Sequence, residues 1–196
     1  MFFFGGGYLF NNQPVKKQWL DAFFNGRKDS YLIQPRLIQH DTLNKIYPDS
    51  VNTLRIVTVN KGHSSSEEDI VVMCVLLRMG AHGSTVDNWA KGGLIVGVDN
   101  DGNLQEYGYY KPGYGTKTDK HPDTGVIFKG INIPFFEESL EKTKQFHSKL
   151  NHIHSIGWDV AITGDGPVFI EGNDSWELGF VQIVNGGIKE QLNAYF

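Results

Sequence analysis

The chain predicts an α+β fold, an antiparallel sheet backed by helices, and three observations carry that expectation. Residues 157–163 and 168–173 are β-rich runs parted by Gly164, Asp165, Gly166 and Pro167, which reads as a hairpin. Residues 94–98 and 104–110 flank Asp99-Asn100-Asp101-Gly102-Asn103 in the same way, giving a second hairpin. Residues 134–153 carry Phe136, Leu140, Phe146, Leu150 and Ile153 as an apolar helical stripe, with Glu137, Glu138 and Glu141 near the positive N-terminal end.

At 196 residues the chain is long enough for one substantial core or two small lobes. A formal net charge of −4 and plentiful aromatics give an ordinary globular composition without a polyanion-binding signature, so nucleic acid is not expected as a partner. Cys74, the lone cysteine, lies in the apolar run 70–77, which reads as a buried strand. With no second cysteine there is no disulfide framework, which suits a reducing cytoplasm.

Met1-Phe2-Phe3-Phe4 is followed by Gly5-Gly6-Gly7 and has no basic flank, so it does not read as a secretory signal. It reads instead as the first strand of something larger. No apolar stretch approaches the ~20 residues that span a bilayer.

In chain order, residues 14–24 predict a short amphipathic helix with Pro14 in its first turn and Gly26 just past its end. Residues 31–38 are β-rich, and Pro35 confines them to a sheet edge or a linker. Residues 41–46 predict one helical turn capped by Asp41. Residues 53–59 predict a strand, and alternation puts Arg55 on the face of Val57 and Val59. An arginine there either meets an anion or snorkels at a sheet margin.

The strand containing Cys74 ends at Arg78, and Gly92-Gly93 then allow a tight turn or close approach to a ligand. Residues 111–124, rich in Gly, Pro, Lys and Asp, predict a mobile loop long enough to act as a lid. His147, His152 and His154 invite a zinc reading. No carboxylate or thiol completes an ordered set, and His152 and His154 do not share a helix face, so zinc is not expected. Residues 185–195 predict a closing helix. No internal repeat or low-complexity tract is present.

The central hairpin carries the chemistry. If its turn centres on Asp165, Asp159 lies opposite Glu171 and Gly157 opposite Asn173, with Asp159, Glu171 and Asn173 on one face. Val160, Ile162, Val168 and Ile170 then form the apolar face. Directly opposed carboxylates need a counter-charge. Asp, Glu and Asn are hard oxygen donors of the kind that suit Mg²⁺; the bland reading is a solvated face with two unrelated acids.

The order of these pieces resembles the ATP-grasp superfamily, and most closely its sugar-transfer-associated, α-L-glutamate ligase-related branch. The matching residues are Tyr31-Leu32-Ile33-Gln34-Pro35-Arg36-Leu37, Asn52-Thr53-Leu54-Arg55, Val86-Asp87-Asn88 with Gly92-Gly93, His121-Pro122-Asp123, and Gly157-Trp158-Asp159 followed by Glu171-Gly172-Asn173. The resemblance implies ATP and Mg²⁺ (or Mn²⁺) as cofactors, with Asp159, Glu171 and Asn173 holding the metal. It implies that Gln34, with the backbone of Arg36 and Leu37, meets adenine, and that Arg55 contacts the γ-phosphate or an acyl-phosphate with Arg78, Asn88 and Gly93 near that centre.

The implied activity is a carboxylate–amine ligase acting through an acyl-phosphate, with a small-molecule carboxylate and a sugar-linked amine or hydroxyl acceptor, in cytoplasmic surface-glycan biosynthesis. The family's two phosphate-binding lysines and covering glycine-rich loop have no counterpart beyond Gly5-Gly6-Gly7. Residues 1–33 accordingly read as a remnant of the N-terminal lobe and residues 34–196 as the C-terminal lobe. A missing segment or a partner chain would then supply the rest. Gly157 stands where several ligases of the superfamily place an arginine. The alternative is a non-catalytic nucleotide- or glycan-binding module, or one that docks to a partner.

Overall fold

The computed structural model describes residues 2–4, 7–10, 13–28 and 37–195. They form two compact units, Met1–Arg36 and Leu37–Phe196. In the first, strands β1 (Phe2–Phe4), β2 (Gly7–Phe10) and β3 (Gln13–Val15) make an antiparallel sheet, followed by helix α1 (Lys17–Asn25). Pro14 pairs with Leu9 inside β3, so the helix begins later than the sequence predicts, while Gly26 caps it as expected. Edge strands tolerate proline because it has no ladder N–H to lose there.

The second unit is built on a seven-stranded antiparallel sheet. Its strands are β4 (Thr53–Asn60), β5 (Ile70–Met79), β6 (Leu94–Val98), β7 (Leu104–Tyr110), β8 (Lys117–Thr118), β9 (Ser155–Thr163) and β10 (Gly166–Asn173), in the order β10-β9-β4-β5-β6-β7-β8. Helices α2 (Asp41–Ile46), α3 (Phe136–Ser148), α4 (Leu178–Asn185) and α5 (Lys189–Asn193) accompany it. Every residue of β4 is buried, as an apolar, β-branched central strand with covered faces requires.

The two faces carry different cores. Leu54, Ile56, Val160, Ile162, Leu77 and Val96 pack with Leu43 and Ile46 of α2 and Phe136 of α3. On the opposite face Val57, Val59 and Cys74 meet Val181 and Ile188, while Leu76 and Ile95 meet Trp89 and Phe180. Each fully buried Leu or Ile contributes about 1.5–3 kcal/mol relative to exposure.

Several expectations are corrected. Helix α3 stops at Ser148, five residues early, and its buried face is largely polar: Ser139, Thr143 and His147 lie inward while Phe146 is exposed. Its hydroxyls satisfy themselves on the preceding turn, Ser139 Oγ donating to Phe135 O and Thr143 Oγ1 to Ser139 O. The cap of α2 is His40, whose Nδ1 accepts from the Thr42 N–H; Asp41 is the first helical residue. The 111–124 segment is anchored in its second half, where β8 pairs with β7 and the buried His121 ring bonds Gly80 O. The closing helix expected over 185–195 is shorter, α5 covering Lys189–Asn193, and α4 before it was not expected.

Candidate functional site

Strands β9 and β10 place the predicted rung. Glu171 pairs with Asp159 and Asn173 with Gly157. The turn is tighter than the sequence suggests, because Thr163 pairs with Gly166 and the register steps by one between Phe169 and Glu171. Ile170 is the extra residue of that bulge. The step corrects the expected apolar face: Val168 and Ile170 are 36% and 50% exposed, and Phe169, opposite Val160, fills the core against Phe146 and Trp158 instead.

Strand β4 supplies the counter-charge. Arg55 stands opposite Asp159, with Nε 2.5 Å from Oδ1 and Nη2 3.1 Å from Oδ2. From β5, Arg78 adds Nη1 at 2.6 Å from the same Oδ2 and sends Nη2 to Asp87 Oδ1 at 3.4 Å. Thr53 Oγ1 donates a short hydrogen bond to the other Asp87 oxygen. The Asp159 carboxylate, 5% exposed, thus accepts three donors from two guanidiniums. Arg55 also lies over the Phe180 ring, 5.4 Å from its centroid.

Burial by itself would lift the Asp159 carboxyl, but the hydrogen bond from Arg55 and the charges of Arg78 and Arg55 outweigh it and hold the group below its ordinary value. At Asp87 burial wins, and its carboxyl is pushed up despite Arg78 and Thr53. Arg78 Nε is buried with no acceptor among the described residues. A buried donor left unmet costs about 1–3 kcal/mol, so this corner of the cluster calls for an added anion.

Glu171 is exposed, and Asn173 is half-buried with its amide donating to Glu171 Oε1 at 3.0 Å. These two oxygen-bearing side chains, Glu171 directly opposite Asp159 and Asn173 two residues further along β10, fit a hard divalent cation. Asp159 would complete the donor set by yielding an oxygen now held by the arginines. Among the described residues no three His, Cys, Asp or Glu side chains converge as a metal cluster.

The other expected residues fall as follows. Asn88 accepts from the Ala90 N–H and, through its carbonyl, from Gly93 N–H. Gly93 is pinned in that turn: a Cβ there would lie 2.6 Å from Met79 O and 3.0 Å from Asn88 O. Leu37 is half-buried outside any helix or strand. Gln34 and Arg36 lie outside the described residues. At Gly157 an added Cβ would lie 2.6 Å from Trp176 Cβ, so an arginine has no room there. His147 is a buried core residue hydrogen-bonded to Thr58.

Sequence reasoning missed Thr53 and Asp87 as members of the cluster. Thr53 was legible, two residues before Arg55 on the same face of β4. Asp87 sits in a loop, where no periodicity tells which side chain turns inward.

The antiparallel sheet backed by helices is the fold expected of an ATP-grasp protein, a class whose members generally catalyse ATP-dependent ligation, typically with divalent metals. A family model described as sugar-transfer associated ATP-grasp matches residues 23–195, and the chain belongs to that family. A comparison with curated proteins gives no match. No helix among the described residues is long and apolar enough to cross a membrane.

Proposed function

We propose that the chain serves an ATP- and Mg²⁺-dependent ligase that activates a carboxylate as an acyl-phosphate for attack by an amine or hydroxyl, in cytoplasmic modification of a surface glycan. The observation that supports it is the buried Arg55 and Arg78 pair, whose donors exceed the acceptors around them and leave Arg78 Nε without one. A phosphoryl group is an anion of the right shape for two guanidinium forks.

In this reading a carboxylate oxygen of the substrate attacks the γ-phosphorus while the bond to the ADP oxygen breaks. The amine or hydroxyl then attacks the acyl carbon, phosphate leaves, and the nucleophile gives up its proton. Arg55 and Arg78 offset charge on the phosphoryl oxygens, and the buried setting strengthens that effect. Asn88 follows Asp87 in the chain and belongs to the same loop. Glu171, Asn173 and Asp159 would hold Mg²⁺, which when bound neutralises phosphate charge.

Trapping with hydroxylamine tests the reaction class. Incubation with ATP, Mn²⁺ and single sugar acids or amino acids should yield an acyl hydroxamate for one of them, and Glu171→Gln should lower Mn²⁺ affinity at least tenfold. Equal Mn²⁺ affinity in the two proteins would sink the metal assignment. The non-catalytic reading gains from one observation, that Asp159 already has its oxygens taken by arginines. Tight nucleotide binding with no hydroxamate from any carboxylate would favour it.

A further inference from the structure

At the far end of β5 from Arg78, a cavity of about 570 Å³ opens where β6 falls short of its neighbour. Its size is within the ~300–1,000 Å³ of small-molecule sites. None of the described residues that line it belongs to the cluster around Asp159.

The chemistry of the lining is one-sided. The polar groups are the carboxamides of Asn100, Gln105, Asn185 and Gln191 and the carboxylates of Asp99 and Glu137, and among the described residues that line it there is no lysine, arginine or histidine. The side chains of Asn100, Gln105 and Asn185 have no hydrogen-bond partner among the described residues, whereas Gln191 donates to Met73 O at 3.3 Å. The Gln105 amide lies over Gly97, where an added Cβ would meet it at 2.6 Å and Val184 at 2.4 Å. Val98, Phe136 and Leu140 give an apolar side.

The strand edge adds backbone groups. Only Val75 to Met79 of β5 pair with β6, so Val72, Met73 and Cys74 enter the cavity with no strand beside them on that side. Amide pairs that both donate and accept, an apolar wall for C–H faces and an absence of cations match a ligand rich in hydroxyls and free of negative charge. A phosphate or carboxylate would meet Glu137 and Asp99 and no counter-ion.

We infer that this cavity is a second binding site, for a neutral or amino saccharide unit, separate from the arginine–carboxylate cluster. The assignment rests on the cavity's own residues and stands whether or not the chain turns over ATP.

Saturation-transfer NMR on the full chain tests it with methyl glucoside, glucosamine and glucuronate at equal millimolar concentration. The first two should receive saturation and glucuronate at least fivefold less. Gln105→Ala and Asn185→Ala should each cut the signal at least fivefold, with Asn100→Ala, in an exposed turn, replacing either one that does not fold. Amide shifts on titration should centre on Cys74, Val98 and Asn100. No transfer to any of the sugars, strongest transfer to glucuronate, or undiminished signal in the folded variants would overturn the site.

Discussion

Arg55 on β4 and Asp159 on β9 face each other across one rung of the sheet and share two hydrogen bonds, at 2.5 and 3.1 Å, although 104 residues separate them in the chain. Both are nearly sealed from water, 7% and 5% exposed. The opposed carboxylates of Asp159 and Glu171 therefore do have a counter-charge within the protein, and the pair ties the central strand to the β9–β10 hairpin. The same two contacts make the site and the stability of the sheet a single problem.

Asp159→Asn should destabilise the fold strongly. The substitution leaves Arg55 and Arg78 charged and buried with Asp87 as the remaining anion, and removing one partner of a buried pair costs about 3–5 kcal/mol. Urea denaturation should show a lower midpoint at unchanged slope. A midpoint equal to that of the wild type would mean that water reaches the cluster and screens it.

Arg55→Lys should weaken anion handling without removing charge. A lysine ammonium cannot reproduce the Nε and Nη2 fork that meets the two Asp159 oxygens, and it cannot present a planar pair of donors to phosphate. Calorimetry with a non-hydrolysable ATP analogue and Mg²⁺ should show affinity lowered at least tenfold. Wild-type affinity would leave Arg55 as a partner of Asp159 alone.

Much of this was legible from residue order. Alternation placed Arg55 with Val57 and Val59, and equal number sums placed Asp159 opposite Glu171. The pairing of Arg55 with Asp159 was not legible, because which strands become neighbours is decided by the whole core. Helix α4 escaped for a different reason: Phe180, Val181, Ile183 and Val184 favour strands locally, and burial against Leu76, Ile95 and Trp89, with Val181 against Val57 and Val59, overrides that preference. The bulge at Ile170 was hidden because one extra residue flips every later side chain, and only the packing of Phe169 reveals where it falls.

Gly157→Ala should destabilise the β9 edge of the site. Its Cβ would need the space of Trp176 Cβ, 2.6 Å away, and would press on the Arg55 side chain at 3.3 Å. Overpacking of this kind costs about 1–3 kcal/mol. The cost should shrink in a Gly157→Ala, Trp176→Gly double variant, which removes that Cβ, and thermal melts of the four proteins measure that coupling. Additive effects would show that Trp176 yields without strain and that the clash lies elsewhere.

Stability should fall as the pH drops below about 6.5, and buried histidines are the cause. His147 Nε2 is 3.0 Å from Ile153 O, a carbonyl that can only accept, so Nε2 carries the proton and Nδ1 accepts the Thr58 hydroxyl at 2.7 Å. Thr58 in turn accepts from Trp158 Nε1 at 2.9 Å. Burial holds the His147 imidazole below its ordinary value despite the Ile153 carbonyl, with His154 lowering it further; His121 is likewise lowered by burial. Above about 6.5 neither state is protonated and the native fold has its full stability. Below that the unfolded chain binds protons that the folded one refuses, so stability is lost as the pH falls toward the folded values, by up to about 1.4 kcal/mol per pH unit for each histidine. Asp87, raised by burial, acts in the opposite sense, and Asp159, lowered, adds to the loss only in more acidic solution. Subtracting the urea-derived profile of His147→Gln from that of the wild type cancels both carboxylates and isolates one histidine. A difference profile that is flat between pH 7 and the wild-type acid transition would show that His147 is protonated in the native fold as readily as in the unfolded chain.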